Sequence, residues 1–211
     1  MSNVEIIGAP MSSYVRVVRI AFAEKGVPYD FRPAAPHSAD VDAIHPMGKI
    51  PCMRHGDIEL FESKAICTYL DKAFPGPKLI PDDALRAAQV EQWISFVNTV
   101  TDPAIIRQYV VPGYIIPGMA QKAPDRACIE AAMPNVEKQL GILEKAVTGR
   151  TWLVGDTLTL ADINVIPILA GAVRFPESAA AMEKYPNLKA YYDLHAQRPS
   201  VRDTAPPMPK A

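Results

Sequence analysis

The sequence predicts a mixed α/β domain with the element order β-α-β-α-β-β-α, followed by an all-helical domain. Three observations support this fold class. Short apolar stretches bounded by turn residues occupy the chain up to about residue 75, as expected for strands. A stretch rich in Pro and Gly follows, and beyond it apolar residues recur at helical spacing. The predicted boundaries are 1–75 for the first domain, 76–83 for a linker and 84–211 for the helical domain.

The first domain begins with the apolar strand "VEIIG". Val15, Val18 and Phe22 then recur at helical spacing, and Gly26 fits the position just after a helix C-terminus. The later elements are a strand in "VPYDFRP", a short helix in "ADVDAI", hairpin strands near Cys52–Arg54 and Ile58–Phe61, and a helix with Ile66, Tyr69, Leu70 and Ala73 on one face.

The linker is the stretch "FPGPKLIPDD", which has three prolines and a glycine in ten residues. Helical patterns follow over 84–98, 126–147, 162–171 and 185–197. The Gly and Pro residues of Val110 to Asp125 predict a loop between two of these helices. Thr159 and Asp162 have the spacing of a capping box, which predicts the start of a buried helix.

Composition and charge exclude several classes of protein. The 211 residues carry a net charge of −1 without a basic run, so we expect no nucleic-acid partner. The three widely spaced cysteines predict no disulfide framework and no metal site, and they favour a reducing compartment. The start lacks the features of a signal peptide and the most apolar stretch is too short to span a bilayer, so we expect a cytoplasmic protein without a membrane partner.

Two adjacent serines, Ser12 and Ser13, lie between the first strand and the first helix. Serine is a common N-cap residue, so both can be ordinary caps. A helix N-terminus also favours an anion. Two further segments of the same domain offer polar groups: "KIP" before a strand, where a cis Pro51 would turn the chain, and "ES", Glu62 and Ser63, at another helix start. A small anionic peptide bearing a thiol would satisfy all three places.

Four segments resemble cytosolic glutathione transferases of the serine-type class. They are "MSSYVRVVRIAFAEKGVPYDF", "HPMGKIPCM", "LFESKAICTYLDKAF" and "LVGDTLTLADINVIPIL", and they occur in the family's order across nearly the whole chain. The resemblance implies a thioredoxin-like N-terminal domain, an all-helical C-terminal domain and a homodimer. It implies glutathione as co-substrate and no metal.

The resemblance also implies a set of site residues. The catalytic hydroxyl is Ser12, with Ser13 as the alternative, and the glutathione site comprises Ser12, Lys49, Ile50, Pro51, Glu62 and Ser63. Ile50 and a cis Pro51 would bind the cysteinyl unit, Glu62 and Ser63 the γ-glutamyl end, and Lys49 the glycyl end. His37 lies near another glycyl-contact position. One residue departs from the family pattern, since His45 stands where Asn is common.

The implied reaction is attack by the glutathione thiolate on an apolar electrophile, a detoxification chemistry. Candidates to line the electrophile pocket are Met11, Tyr14, Ile105, Ile106, Tyr109 and Phe175. Glutathione-dependent disulfide reduction is disfavoured, because it needs a cysteine at the strand–helix junction. Two alternatives stay open. One is a glutathione-dependent isomerase or dehalogenase, which "SSYVRVVRIA" also resembles, and the other is a non-catalytic binding or regulatory protein of the same fold.

Overall fold

The computed structural model describes residues 3–206. The chain divides into two compact units: the first comprises the described residues up to Asp82 together with those from Gln197 onward, and the second is Asp83–Ala196. The strands are β1 (Val4–Gly8), β2 (Asp30–Pro33), β3 (Cys52–His55) and β4 (Ile58–Phe61). The helices of the first unit are α1 (Ser13–Glu24), α2 (Ala39–Asp42), α3 (Ser63–Ala73) and α10 (Pro199–Arg202).

The four strands form one mixed sheet in the order β2-β1-β3-β4. β2 runs parallel to β1, whereas β3 is antiparallel to both β1 and β4, with Ile7 opposite Cys52 and Cys52 opposite Phe61. The ends of β1, β2 and β4 and the start of β3 therefore share one edge of the sheet. The predicted order β-α-β-α-β-β-α is confirmed.

Helix α1 ends as its sequence predicts. Gly26 has a φ of 67°, a conformation that glycine adopts without steric cost. The Gly26 N–H donates to the carbonyl of Ala23 and the Val27 N–H to that of Phe22. These two bonds form a Schellman motif, which satisfies carbonyls that the end of the helix would otherwise leave unpaired.

A buried ion pair in the first unit binds the start of the predicted linker. Lys25 Nζ lies 3.1 Å from Asp71 Oδ1, and both side chains are almost fully buried. The Asp71 carboxylate also accepts from the N–H groups of Leu79 and Ile80, and Lys25 donates to the carbonyl of Pro77. The segment that the sequence predicts as a linker is thus held against the ends of α1 and α3.

Residues 198–201 differ from the sequence prediction, which assigned them to the helical domain. Arg198 pairs with the Glu24 carboxylate through two bonds of 2.8 and 2.7 Å, and Ser200 donates to the same carboxylate. The Arg16 guanidinium donates to the carbonyl of Val201 at 2.8 Å. These bonds join α10 to α1, so this segment packs with the first unit.

The second unit is helical. Its elements are α4 (Ala84–Phe96), two π-helical segments (Val97–Thr101 and Pro103–Ile115), α5 (Ile116–Met119), α6 (Arg126–Val147), α7 (Leu160–Arg174), α8 (Pro176–Met182) and α9 (Pro186–Ala196). Among the described residues, no single helix has the length and hydropathy to cross a bilayer, although α7 and α8, which meet at a sharp bend, pass that test together.

The predicted loop over Val110 to Asp125 is wrong, because helical structure continues to Met119 and only the last residues form a connection. Gly113 does not mark a turn. A Cβ there would lie 2.7 Å from Ile129 Cγ1, so glycine is needed for close packing against α6. Pro117 lies in the first turn of α5, directly after the π-helical segment, and has no N–H to bond the preceding turn.

The predicted capping box at the start of α7 is confirmed. The Thr159 hydroxyl accepts from the Ala161 N–H, while the Asp162 carboxylate accepts from the Thr159 N–H and hydroxyl. The same buried carboxylate accepts from the Leu153 N–H and the Tyr191 hydroxyl. Desolvation and the Asp162 charge raise the pKa of Tyr191, so this hydroxyl keeps its proton and remains a donor.

We expect Asp71→Ala to lower the free energy of unfolding by about 3–5 kcal/mol, because it strands a buried ammonium and two backbone N–H groups. Asp82→Ala is the matched control, since Asp82 pairs with Lys78 on the surface, and should cost less than about 1 kcal/mol. Urea unfolding measures both values. Equal losses in the two variants would contradict this account of the pair.

Candidate active site

The three segments that carry the predicted site residues lie together at one edge of the sheet. Ser12 follows β1, Ile50 and Pro51 precede β3, and Glu62 follows β4. Gly8 permits the close approach: a Cβ at this position would lie 2.5 Å from Val15 Cγ2 and 3.3 Å from the Ile50 Cβ. The first turn of α1 and the segment before Pro51 therefore both contact the end of β1.

Ser12 is the N-cap of α1. Its Oγ accepts from the Val15 N–H at 3.3 Å, and its carbonyl accepts from the Arg16 N–H at 3.0 Å. A hydroxyl has two lone pairs and one proton, so accepting a bond from Val15 leaves the O–H able to donate. The side chain is half-buried. Ser12 can thus be a cap and also a donor to a ligand.

Ser13 is the first residue of α1, and it is only 9% exposed. Of the two hydroxyls, Ser12 is therefore the more accessible. The first turn of α1 contains no acidic residue, so the partial positive charge of the helix N-terminus is not offset there. This environment favours an anion beside Ser12.

The peptide bond between Ile50 and Pro51 is cis, as the resemblance implied. Pro51 is buried, Ile50 is half-buried and Lys49 is exposed. Cys52, the first residue of β3, is fully buried and its thiol donates to the carbonyl of Lys49 at 3.5 Å. This weak hydrogen bond spans the turn that presents Lys49 and Ile50 at the edge of the sheet.

Glu62 and Ser63 begin α3. Glu62 is the N-cap with a φ of 68°, an uncommon conformation for a residue with a side chain, and such residues cluster at ligand sites. Its carboxylate side chain is 67% exposed. Ser63 is buried at the first helical position. The pair can offer a carboxylate to an ammonium group and a helix N-terminus to a carboxylate.

His45 replaces the turn-forming Asn of the family without losing its hydrogen bond. The His45 Nδ1 accepts from the Met47 N–H at 3.0 Å, as an Asn side chain does in an Asx-turn. The other ring nitrogen, Nε2, lies 3.6 Å from Glu62 Oε1. Sequence reasoning missed this second contact, and the departure from Asn at position 45 was the signal that could have found it.

None of the three cysteines is activated as a redox nucleophile. Burial raises the pKa of Cys52 to about 11 and that of Cys67 to about 12. Cys128 lies in the second unit, where its hydrogen bond to Asp125 raises the pKa of its thiol. A disulfide-exchange site needs a thiolate near neutral pH, so these thiols do not supply one.

Among residues 3–206 no cluster of His, Cys, Asp or Glu side chains has the geometry of a metal site. His37 is exposed, lies 3.5 Å from the Asp42 carboxylate and has a φ of 60°. Its N–H donates to the carbonyl of Gly48, next to Lys49. This places His37 beside the proposed glycyl contact.

The candidates for the electrophile pocket fall into two groups. Ile105 and Tyr109 are fully buried in the helical unit, so they cannot present a surface to a substrate. Tyr109 donates to Glu177, and its ring packs edge-on against Phe175. The others are partly accessible, namely Met11, Tyr14, Ile106 and Phe175. Sequence reasoning missed Tyr114, whose ring stacks on Phe175 with centroids 4.1 Å apart.

The fold defines a class: a thioredoxin-like domain followed by a helical domain, with the candidate site residues at one edge of the sheet of the former. Comparison with known proteins identifies the family. The family model for the glutathione S-transferase N-terminal domain matches residues 6–78, and that for the C-terminal domain matches residues 104–199. Glutathione S-transferase 3 of Zea mays is 31% identical over 222 residues, covering 99% of this chain and 96% of the relative.

Solved structures agree. A glutathione S-transferase-I bound with lactoylglutathione has a TM-score of 0.86 and 28% identity, covering 97% of this chain and 99% of that one. Glutathione S-transferase I from Mais, in complex with an atrazine glutathione conjugate, has a TM-score of 0.85 and 27% identity, with 97% of both chains covered. The chain belongs to the glutathione S-transferase family, and its activity is that of a glutathione transferase.

The raised pKa values predict the order of thiol alkylation. With a pKa of about 11, Cys52 has about one thiolate per thousand molecules at pH 8. Iodoacetamide should therefore modify the partly exposed Cys128 first, and Cys52 and Cys67 only after unfolding in urea. Mass spectrometry of the folded and unfolded protein measures this. Alkylation of Cys52 as fast as Cys128 in the folded protein would contradict the assignment.

Proposed function

We propose that this glutathione transferase is of the serine type and that Ser12 stabilises the thiolate of bound glutathione. The observation that carries the proposal is the geometry of the N-cap. Because Ser12 Oγ accepts from Val15, its one proton is left to donate toward a ligand at the edge of the sheet. A sulfur placed there would meet this hydroxyl and the positive end of α1 together.

The free energies of these interactions are large enough to ionise the thiol at neutral pH. A free thiol has a pKa of about 8.5, so about 3% is ionised at pH 7. A hydrogen bond to a charged group contributes about 1.5–3 kcal/mol and a helix N-terminus about 0.3–1 kcal/mol. Lowering the pKa by two units requires about 2.7 kcal/mol. The two contributions together make the thiolate the main species at neutral pH.

The rest of the glutathione molecule would lie along the same edge. Ile50, before the cis Pro51, offers backbone groups to the cysteinyl unit. Glu62 is placed to pair with the γ-glutamyl ammonium, and Ser63 with its carboxylate at the start of α3. Lys49 is exposed and offers a charge to the glycyl carboxylate. Each end of the tripeptide therefore meets a group of opposite charge.

The reaction is attack of the thiolate sulfur on an electrophilic carbon, which forms a C–S bond. The electron pair of the broken bond departs with the leaving group, and the thiol proton has already passed to solvent. We propose apolar electrophiles, because the accessible candidates in each unit are mainly apolar: Met11 and Tyr14 in the first, and Ile106 and Phe175 in the second. The atrazine conjugate bound by the relative from Mais is a product of this kind.

The proposed role is detoxification in the cytoplasm. The three cysteines are all free, two of them buried, which suits a reducing compartment. Transfer is favoured over isomerisation or dehalogenation, since the relatives with high coverage are glutathione S-transferases. The presence of a candidate contact for each part of glutathione favours an enzyme over a non-catalytic binding protein.

Ser12→Ala should raise the pKa of bound glutathione by about one to two units, because a hydrogen bond to the thiolate is lost. The rate of conjugation should fall about 3- to 25-fold at pH 7, in proportion to the fraction of glutathione that remains thiolate. The deficit should shrink as the pH rises above the pKa of the variant, where both proteins carry thiolate. Thiolate absorbance and kcat/KM, measured as functions of pH, test both expectations.

Three further variants distinguish two roles of the residue, donation of a hydrogen bond to the thiolate and capping of α1. Ser12→Thr keeps both and should retain activity, whereas Ser12→Gly largely keeps helix stability but should be as inactive as Ser12→Ala. Ser13→Ala should leave the pH profile unchanged. An unshifted profile in Ser12→Ala with a shifted one in Ser13→Ala would transfer the role to Ser13.

We also propose a two-fold homodimer whose contact involves α3. The homodimer implied by the family resemblance would have its contact near the Ile66–Leu70 helix, which is α3, and near α4. Ile66 and Leu70 themselves are buried within the first unit. The accessible face of α3 borders an open groove of about 670 Å³, lined by Leu60, Glu62, Lys64, Ala65, Thr68, Tyr69 and Lys72. Ile58 and Phe61 on β4 are also exposed, so apolar surface extends beyond the groove.

Sedimentation should therefore show a dimer at micromolar concentration. Ala65→Arg should shift it toward monomer, because the long charged side chain would enter the contact. Ala180→Arg, at another exposed helical alanine, is the control and should stay dimeric. A wild-type monomer, or equal behaviour of the two variants, would defeat the proposed contact.

A further inference from the structure

His45 lies between two parts of the proposed glutathione site. One ring nitrogen faces the turn that leads to Lys49 and Pro51, and the other faces Glu62. We propose that His45 is a positioning residue that orients the Glu62 carboxylate toward the ammonium group of the ligand. The inference rests on the proposed function, since it deepens the assignment of Glu62 to the γ-glutamyl end.

The hydrogen bond at Nδ1 determines where the ring carries its proton. The Met47 N–H donates to Nδ1 at 3.0 Å, so Nδ1 is an acceptor and holds no proton. In a neutral imidazole the proton then resides on Nε2. The N–H of Nε2 is therefore directed to the side of the ring where Glu62 lies.

The contact between Nε2 and Glu62 Oε1 spans 3.6 Å. This is longer than a normal hydrogen bond, but close enough for the N–H dipole to attract the carboxylate. The two side chains differ in conformational freedom, because that of His45 is 5% exposed and that of Glu62 is 67% exposed. The buried ring is the fixed partner, and it limits the positions of a side chain that solvent would otherwise leave mobile.

The backbone around Glu62 supports the same conclusion. Its φ of 68° is costly for a residue with a Cβ and is held only by its surroundings. On one side, Phe61 pairs with Cys52 in the sheet. On the other side, the Glu62 carbonyl accepts from the Ile66 N–H. The His45 ring packs against Phe61, with centroids 4.8 Å apart, so it contacts both Glu62 and the residue before it.

An Asn at position 45 would perform only one of the two tasks. Its side-chain oxygen can accept from the Met47 N–H and form the turn. The shorter side chain ends there and does not extend to Glu62. His45→Asn thus keeps the turn and removes the second contact, which makes it the variant that separates a positioning role from a purely structural one.

The test compares two ligands by isothermal titration calorimetry. One is glutathione, and the other is its analogue in which a hydrogen replaces the γ-glutamyl amino group. In His45→Asn, the Kd for glutathione should rise about two- to fivefold, as expected for an exposed charge contact, and the Kd for the analogue should not change. Glu62→Gln should likewise raise the Kd for glutathione and leave that for the analogue unchanged. The double variant should bind glutathione little more weakly than Glu62→Gln alone.

A readout on the wild-type protein does not depend on the folding of any variant. Nitrogen NMR of His45 should show the Nε2–H tautomer, and glutathione should shift the Nε2 signal more than the analogue does. Equal shifts with both ligands, or a proton on Nδ1, would overturn the inference.

The outcomes also separate this inference from the proposed function. Suppose that His45→Asn weakens the binding of both ligands equally, or of neither, while Glu62→Gln selectively weakens the binding of glutathione. The positioning role of His45 is then wrong, and the proposed glutathione site stands. If the wild-type protein binds both ligands equally well, the assignment of Glu62 fails, and the role of His45 fails with it. If Ser12→Ala leaves the pKa of bound glutathione unchanged, the serine-type proposal fails independently of His45.

Discussion

The hydroxyl of Ser12 must satisfy two demands with one oxygen. As the N-cap it accepts from Val15 and completes the first turn of α1. As the proposed thiolate donor it needs its proton directed away from the helix. Accepting and donating use different parts of the same hydroxyl, so both can hold together. An Asp cap at this position would satisfy Val15 equally well, but its charge would repel a thiolate.

Several interactions of the first unit fix that hydroxyl in place. The C-terminal end of α1 is anchored by Lys25 in its pair with Asp71 and by Glu24 in its pair with Arg198. The N-terminal end is packed against Gly8 and, through it, against the segment before Pro51. The helix that carries Ser12 is thus held at both ends, and the site lies on a rigid element of the scaffold.

Much of this could be predicted from the sequence, because the signals were local. Short apolar stretches bounded by turn residues located the strands, and helical spacing located most helices. Gly26 located the end of α1, and the spacing of Thr159 and Asp162 located the capping box. The residues of the proposed glutathione site came from the family resemblance. Their gathering at one edge follows from strand directions, which no local pattern specifies.

The failures concern contacts between residues distant in sequence. Gly113 was interpreted as a loop signal, but it serves helix packing against Ile129. Residues 198–201 were assigned to the helical domain, because nothing local indicates that Arg16 bonds to Val201, 185 positions away. His45 was noticed only as a departure from Asn, and its contact with Glu62 required the pairing of β3 with β4.

The most direct test of the central claim is a crystal structure of the protein with bound glutathione. The account predicts the glutathione sulfur within about 3.5 Å of Ser12 Oγ, the range of hydrogen bonds to sulfur, with Oγ still accepting from the Val15 N–H. A sulfur that contacts Ser13 or another group, with Ser12 facing only its own helix, would contradict the account.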